Sequence, residues 1–226
     1  MVEVEREISF KVEGKELVYP VRKLPRSFIA WQIDSRTELL RSILEGEERM
    51  PNFGAHLPIM STKDAGDVFL INSCAKGVGL LPRPALLDDM TKKIENIIKV
   101  VKSSKMSENR EGVEFLIDFY SNIDNLDDTR LSSIEIYAKK TLRNVKKDPR
   151  CSLLYVDLER GCLSYMVNAV VEIAGEDNPY YKFVSMMHDI FHITENIDRR
   201  FPAVYIFHVS ELYNKTPGKN ASKRLV

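Results

Sequence analysis

EIYAKKTLRNVKKDPR, residues 135–150, decides how the chain is interpreted, because it predicts a β-strand that runs directly into a short helix. Between positions 139 and 150 the chain carries six cations and one acid, Asp148. Lys146 and Lys147 fall at the C-terminal end of the predicted helix, where positive charge complements the helix dipole. Lys139 and Lys140 fall at its start, where the dipole disfavours cations. This first pair therefore needs another explanation.

An anion bound at the helix start would explain the pair. Thr141 follows the two lysines and is a capping-type residue. Amide groups of a first helical turn, a hydroxyl and ammonium groups together suit a phosphate. The chain supplies no obvious anion at this point, so we expect one from outside. The alternative, a solvated basic face on a surface helix, stays open on residue types alone.

The rest of the chain predicts β-hairpins separated by helices. A hairpin is expected over residues 8–21, and a Gly/Pro-rich loop over 75–84 and an acidic loop over 122–130 are expected between elements. Apolar spacing predicts helices at 35–48, 84–104, 111–122 (helix favoured over buried strand) and 178–197. Further strands are expected at 55–62, 67–74, 132–138, 151–158, 162–176 and 203–213. Without a βαβ alternation, this pattern predicts an α+β fold with a mostly antiparallel sheet or barrel.

Composition limits the classes of function. The 226 residues carry 33 cationic and 33 acidic side chains, so no net field attracts nucleic acid or an anionic membrane. The three cysteines, Cys74, Cys151 and Cys162, have no metal-like spacing, and an odd number in a chain of this length does not indicate a disulfide framework. The N-terminal segment lacks an apolar signal-peptide core. We therefore expect a cytoplasmic protein that binds neither nucleic acid nor a membrane.

Residues 136–157, IYAKKTLRNVKKDPRCSLLYVD, resemble the core of the pyridoxamine 5'-phosphate oxidase-like, FMN-binding split-barrel superfamily. The superfamily pattern is a strand, a Lys/Arg–Ser/Thr cluster, a short helix of the form xRNLxxDP and another strand. Arg143-Asn144-Val145 and Asp148-Pro149 match that helix. Residues 55–73, AHLPIMSTKDAGDVFLINS, resemble the first barrel hairpin, and 162–176 resemble the long strand after the short helix.

The resemblance implies one domain over residues 1–226, an antiparallel split β-barrel with flanking helices. It covers roughly residues 35–82 and 130–218, so 84–128 is expected to be a helical insertion and 1–25 an N-terminal hairpin extension. Lys140 and Thr141, with Lys139 nearby, would hold the phosphate of FMN. The flavin ring or ribityl chain would be lined by Ser61, Thr62, Asn72 and Ser73, with Lys76 as a further candidate. Many members have Ser-Arg-Lys where this chain has Lys139-Lys140-Thr141.

Other chemistry-bearing residues are better explained by packing. His188 and His192 are spaced i, i+4, which suits a metal, but no third ligand is evident and no metal is expected. His56 and His208 fall in predicted strands, where they are more often core residues than flavin contacts. Cys74 lies near Lys76 but has no histidine partner nearby in sequence, so a catalytic thiol is not expected.

The resemblance thus implies a homodimeric FMN-dependent oxidoreductase with a small-molecule substrate. No residue identifies itself as a general acid or base, so the flavin would supply the redox chemistry. Two alternatives keep the same fold. The first binds a different cofactor, such as a deazaflavin or haem. The second is a non-catalytic protein that binds a phosphorylated ligand or a partner.

Overall fold

The first elements form a separate hairpin. The computed structural model describes residues 4–46, 54–64, 66, 68–100, 110–191 and 200–226. Strands β1 (Arg6–Val12) and β2 (Lys15–Val21) pair antiparallel as a two-stranded sheet. Glu13 and Gly14 between them have positive φ, of 51° and 79°, the backbone of a two-residue turn that matches the twist of a hairpin. The predicted hairpin is therefore present.

Helix α1 (Arg26–Leu44) starts well before residue 35, where the sequence predicted a start. Phe28 and Trp31 are buried at helical spacing, and the buried face then continues through Gln32, Ser35 and Arg36. Because these three polar residues interrupt the buried stripe, a search for apolar periodicity does not connect Phe28 and Trp31 to the apolar residues from Leu39 onward. The last part of the predicted helix, 47–48, lies outside the described residues.

Three short strands follow. They are β3 (Ile59–Lys63), β4 (Ile71–Ala75) and β5 (Val78–Pro82). The prediction of a loop over 75–84 is wrong for most of its length, because β5 pairs with a later strand. Its glycine and proline suggested a loop, but β5 is an edge strand, where a residue without an N–H donor is tolerated.

In its described residues, the helical segment expected at 84–128 contains a 3-10 turn, Pro84–Leu86, then α2 (Leu87–Val100) and α3 (Arg110–Ser121), and a second 3-10 turn, Ile123–Asn125. Strand β6 (Leu126–Glu135) starts inside the region predicted as an acidic loop, so that prediction is wrong from residue 126 onward. The acids were misleading because Asp127 is buried and neutralised on its own strand. Its Oδ2 accepts 2.8 and 2.5 Å bonds from Nε and Nη2 of Arg130.

The C-terminal half matches the predicted order of elements. It contains α4 (Lys140–Lys147), β7 (Arg150–Asp157), β8 (Leu163–Ala174), α5 (Pro179–Phe191) and β9 (Ala203–Asn214). None of the helices in the described ranges is both long and apolar enough to span a bilayer.

The seven strands β3 to β9 form one antiparallel sheet in the order β4-β3-β7-β8-β9-β6-β5. The two edge strands, β4 and β5, are joined by only Lys76 and Gly77. A two-residue connection between opposite edges requires the sheet to curl until those edges meet. The fold is therefore the predicted α+β antiparallel split barrel, and α4 packs against β3 and β4 beside the split.

Candidate functional site

The chain passes from β6 to α4 within four residues, and the candidate site lies at this junction. Ala138 has φ of 50°, which turns the backbone sharply. Lys139 is the residue that precedes the first helical position, and Lys140 and Thr141 open the helix. Lys139 is exposed, whereas Lys140 and Thr141 are half-buried. Lys146 and Lys147 are exposed in the last turn, where the dipole explains them.

The backbone just before the helix already binds a carboxylate of the chain. Glu135 Oε1 accepts 3.0 Å hydrogen bonds from the N–H groups of Tyr137 and Ala138. Its Oε2 accepts from Lys76 Nζ at 2.8 Å and from the Tyr205 hydroxyl at 2.6 Å. Burial alone would raise the pKa of Glu135, but the bonds from Lys76 and Tyr205 outweigh it and lower that pKa. Lys76 is therefore committed to a buried ion pair, with 11% of its side chain exposed.

Lys140 also has an anion within the chain. Its Nζ lies 2.5 Å from Oδ2 of Asp64, a residue that follows β3 and is 5% exposed. The expectation that the chain supplies no anion to Lys139 and Lys140 is thus wrong for Lys140. Asp64 was missed because it is distant in sequence, and only the packing of α4 on β3 brings the two charges together. Lys139 has no carboxylate partner among the described residues, and its Nζ lies 5.8 Å from the Tyr137 ring centre.

Thr141 belongs to a polar cluster between the β3–β4 hairpin and α4. Its hydroxyl accepts from Asn72 Nδ2 at 3.3 Å and lies 3.4 Å from Cys74 Sγ. Thr62 Oγ1 accepts from Asn144 Nδ2 at 3.2 Å and donates to the Asn72 carbonyl at 3.4 Å. Three predicted site residues, Thr62, Asn72 and Thr141, therefore come together. Asn144 was not predicted, although it is the asparagine of the Arg-Asn-Val match.

Ser61 and Ser73 lie on the opposite face of the same two strands. They are register partners, and their hydroxyl oxygens are 2.9 Å apart. Side chains alternate between the faces of a strand, so Ser61 and Thr62 cannot face the same way. The serine pair and the Thr62–Asn72 pair thus face opposite sides of the hairpin, and a single ligand would have to pass around the edge strand β4 to contact both pairs.

The outer face, which carries the serine pair, holds a groove of about 630 Å³. Ser152 and Asn168 line it and bond to each other, Oγ to Oδ1, at 2.7 Å. The β1–β2 hairpin closes one side through Tyr19, whose hydroxyl accepts from Arg150 Nη1 at 3.2 Å. The side-chain bond to Asp148 raises the pKa of Arg150, so this cation stays charged at the edge of the groove.

The histidines and thiols show no catalytic arrangement among the described residues. His208 is buried and bonds Glu172 Oε2 through Nε2 at 2.9 Å. His188 packs edge-on against Phe201, and His192 lies outside the described residues. In the described ranges, no three His, Cys, Asp or Glu side chains are grouped as metal ligands. Burial raises the pKa of the Cys151 thiol, which makes it a poor nucleophile.

Comparison with known proteins gives similarity at the level of solved structures. No protein-family model matches the chain, and no curated protein matches it. HupZ of Group A Streptococcus has a TM-score of 0.42 and 17% identity, over 81% of this chain and 97% of that one. A putative pyridoxamine 5'-phosphate oxidase of Lactobacillus delbrueckii has a TM-score of 0.41 and 15% identity, over 84% of this chain and 93% of that one. An FMN-binding protein of Syntrophomonas wolfei has a TM-score of 0.39 and 10% identity, over 83% of this chain and 90% of that one.

One of these proteins carries the name of the superfamily that residues 136–157 resemble, and another is named as FMN-binding. TM-scores of 0.42 and below carry no argument about cofactor or activity.

Proposed function

We propose that the protein binds FMN, with the phosphate held at the start of α4 by Lys139, Lys140 and Thr141. The observation that supports this most is Lys139, an exposed cation at a helix start that no described carboxylate neutralises. A helix start with an adjacent ammonium group is a favourable place for a phosphate. The residues present therefore fit the phosphate of the cofactor.

The two lysines would have different roles. Lys140 keeps 37% of its side chain exposed while it contacts Asp64. An ammonium group has three donors, so it can hold the buried carboxylate and a phosphate oxygen together. Lys139 would supply the charge that is not already compensated. Asn72 would orient the Thr141 hydroxyl through the bond that it donates to it.

The remainder of the cofactor is proposed to use the outer face. Ser73 is exposed and Ser61 is half-buried, so both hydroxyls are accessible to the ribityl chain or the ring edge. Thr62, Asn72 and Lys76 act indirectly, because the first two support α4 and Lys76 is held by Glu135. A bound flavin would supply hydride or electron transfer, which makes a flavin-dependent oxidoreductase our proposal for the activity.

Titration of the purified protein with FMN and with riboflavin tests this proposal. The wild type should bind FMN more tightly than riboflavin, because only FMN carries the phosphate. Replacement of Lys139 and Lys140 by alanine should weaken FMN binding by about tenfold or more, since charge-assisted bonds to phosphate are lost. Riboflavin affinity should change little. Absorbance of the bound flavin gives the measurement.

Lys146→Ala/Lys147→Ala is the matched control, with the same charge change at the other end of the same helix. Equal losses in both double variants, or no preference for FMN over riboflavin, would contradict phosphate anchoring at the helix start. Asp64→Asn should tighten FMN binding, because the charge of Lys140 is then no longer shared with a carboxylate. Turnover with NADH or NADPH tests the oxidoreductase proposal separately.

The alternatives predict different outcomes of the same titration. A protein that binds phosphorylated ligands but no flavin would take up no FMN. It would bind another phosphorylated compound in competition with inorganic phosphate. A deazaflavin or haem protein would show the absorption spectrum of that cofactor. These readings keep the fold and change only the ligand.

A homodimer and a cytoplasmic location complete the proposal. Ile59, Leu154 and Val156 are large apolar side chains on the outer face, and each is at least 38% exposed. Their burial against a second copy would remove this area from water. The three cysteines are free thiols, which suits a reducing compartment.

A further inference from the structure

Arg36 of α1 is a buried guanidinium with no carboxylate partner among the described residues. It is 5% exposed. Its Nη1 donates to the Ala55 carbonyl at 3.2 Å and its Nη2 to the Val78 carbonyl at 2.6 Å. The Tyr120 ring centre lies 5.7 Å from its Cζ. Backbone carbonyls and a ring provide partial charges only, so the full positive charge is not compensated.

Further polar groups near Arg36 are also unsatisfied. Its Nε, the Ser35 hydroxyl and the Tyr155 hydroxyl are buried without a hydrogen-bond partner. Native proteins satisfy most buried polar groups, and each exception requires a reason. Burial lowers the pKa of Arg36, which expresses the same cost of keeping the charge out of water. A guanidinium nevertheless stays protonated in proteins. The site therefore has an excess of donors and a need for an anion.

A cavity of about 500 Å³ lies against this cation. Ser35 and Arg36 line one part of it, and other residues of α1 together with α5 and strands β5 and β6 provide most of the other walls. Those walls are largely apolar and include Leu39, Ile43, Ile134 and Met187. A concave, mostly apolar space of this size with a few polar groups is typical of a small-molecule site.

We propose that this cavity binds a small apolar carboxylate, with the carboxylate paired to Arg36 and the hydrocarbon body against the apolar walls. A carboxylate matches the planar fork of a guanidinium in shape. Its single negative charge balances the single cation, whereas a phosphate dianion would leave a net negative charge buried. The site uses α1 and α5 and none of the residues at the start of α4, so it is independent of the proposed FMN site.

Isothermal titration calorimetry with decanoate and decan-1-ol tests the proposal. The two probes share a hydrocarbon chain and differ in the charge of the head group. The wild type should bind decanoate about tenfold or more tightly than decan-1-ol, as expected for a charge-assisted bond to a buried cation. Arg36→Met should remove that preference and leave decan-1-ol binding unchanged. Methionine occupies a similar space without the charge, and because the Ala55 and Val78 carbonyls then lose a donor, Leu39→Trp serves as a second variant that keeps Arg36 in place.

Arg41→Met is the matched control, since Arg41 is exposed on the same helix and should not affect either probe. Leu39→Trp fills part of the cavity and should weaken both probes alike. The lysine double variant at 139 and 140 should still bind decanoate, which separates this site from the FMN site. Absence of decanoate binding, equal affinity for both probes, or retention of the preference in Arg36→Met would overturn the proposal.

Discussion

At the scale of single residues, the junction of β6 and α4 shows that charges in a sequence cannot be balanced locally. The cations of residues 139–150 were correctly divided between the two ends of a helix. The partner of Lys140 could not be predicted, because Asp64 reaches it through tertiary packing, as Glu135 reaches Lys76. Local spacing predicts which charges are unusual, but only the fold determines what neutralises them.

Glu135→Gln tests the buried carboxylate that organises this junction. The change leaves Lys76 without its ion pair and should cost about 3 kcal/mol in the free energy of unfolding near neutral pH. The pKa of Glu135 is lowered in the folded protein. Its stabilising contribution is therefore complete above the unfolded carboxyl pKa of about 4 and is lost as the pH falls through the lower folded pKa.

Urea unfolding at neutral and acid pH measures both effects. The stability of the variant should fall less steeply with acid than that of the wild type. Glu16→Gln, at an exposed position of β2, should behave as the wild type does. Identical acid dependence in Glu135→Gln and the wild type would contradict a stabilising role for this carboxylate.

At the scale of elements, α1 is held to the barrel by an aromatic cluster and by buried hydrogen bonds, which include those of Arg36 and one from Trp31. Phe28 and Trp31 pack edge-on against Tyr155, with ring centres 5.7 Å apart in each pair. Trp31 Nε1 donates to Oδ2 of Asp157 at 2.9 Å, and Asp157 is fully buried. The indole therefore contributes an apolar surface and a hydrogen-bond donor to a carboxylate that is buried away from water.

Trp31→Phe keeps an aromatic ring in this cluster and removes the donor. We expect a loss of about 1–3 kcal/mol in the free energy of unfolding, because a buried carboxylate loses a hydrogen bond. Urea unfolding followed by circular dichroism gives the value. In an Asp157→Asn background the same change should cost less. A double-mutant cycle without coupling would mean that the loss comes from packing alone.

Most elements were predictable, and two of the failures share a cause. The α4 helix and the strands β7, β8 and β9 follow clear apolar periods. The start of α1 was missed because Gln32, Ser35 and Arg36 are polar and buried, and the start of β6 because Asp127 is neutralised by Arg130. Sequence patterns assume that polar means exposed. That assumption fails where side chains satisfy each other inside the protein, or where they line a cavity.

At the scale of the whole molecule, the outer face of the barrel supports association of two copies. Ile59 and Leu154 are register partners on β3 and β7, and Val156 continues the apolar row. The sequence could predict the strands but not this surface, because the exposure of alternate residues depends on which face of the sheet the helices cover.

Leu154→Glu tests the proposed dimer. A carboxylate in the centre of this row should convert a dimer to a monomer, since its burial against a second copy would leave an unpaired charge. Size-exclusion chromatography with light scattering gives the mass. Leu158→Glu is the control, because Leu158 is 74% exposed just beyond the end of β7. A monomeric wild type, or a dimeric Leu154→Glu variant, would contradict association through this face.

The two-residue link between β4 and β5 determines which modes of assembly remain. Edge strands normally offer unpaired backbone groups as a template on which a second chain can add a strand. Here Lys76 and Gly77 hold both ends of the sheet beside each other. Lys76 also forms a buried ion pair with Glu135 of β6, which ties this two-residue connection to the neighbouring strand. A continuous intermolecular sheet would have to displace this connection, so we expect the proposed dimer to form through side chains on the faces of the barrels, with the hydrogen-bonded sheets of the two copies kept separate.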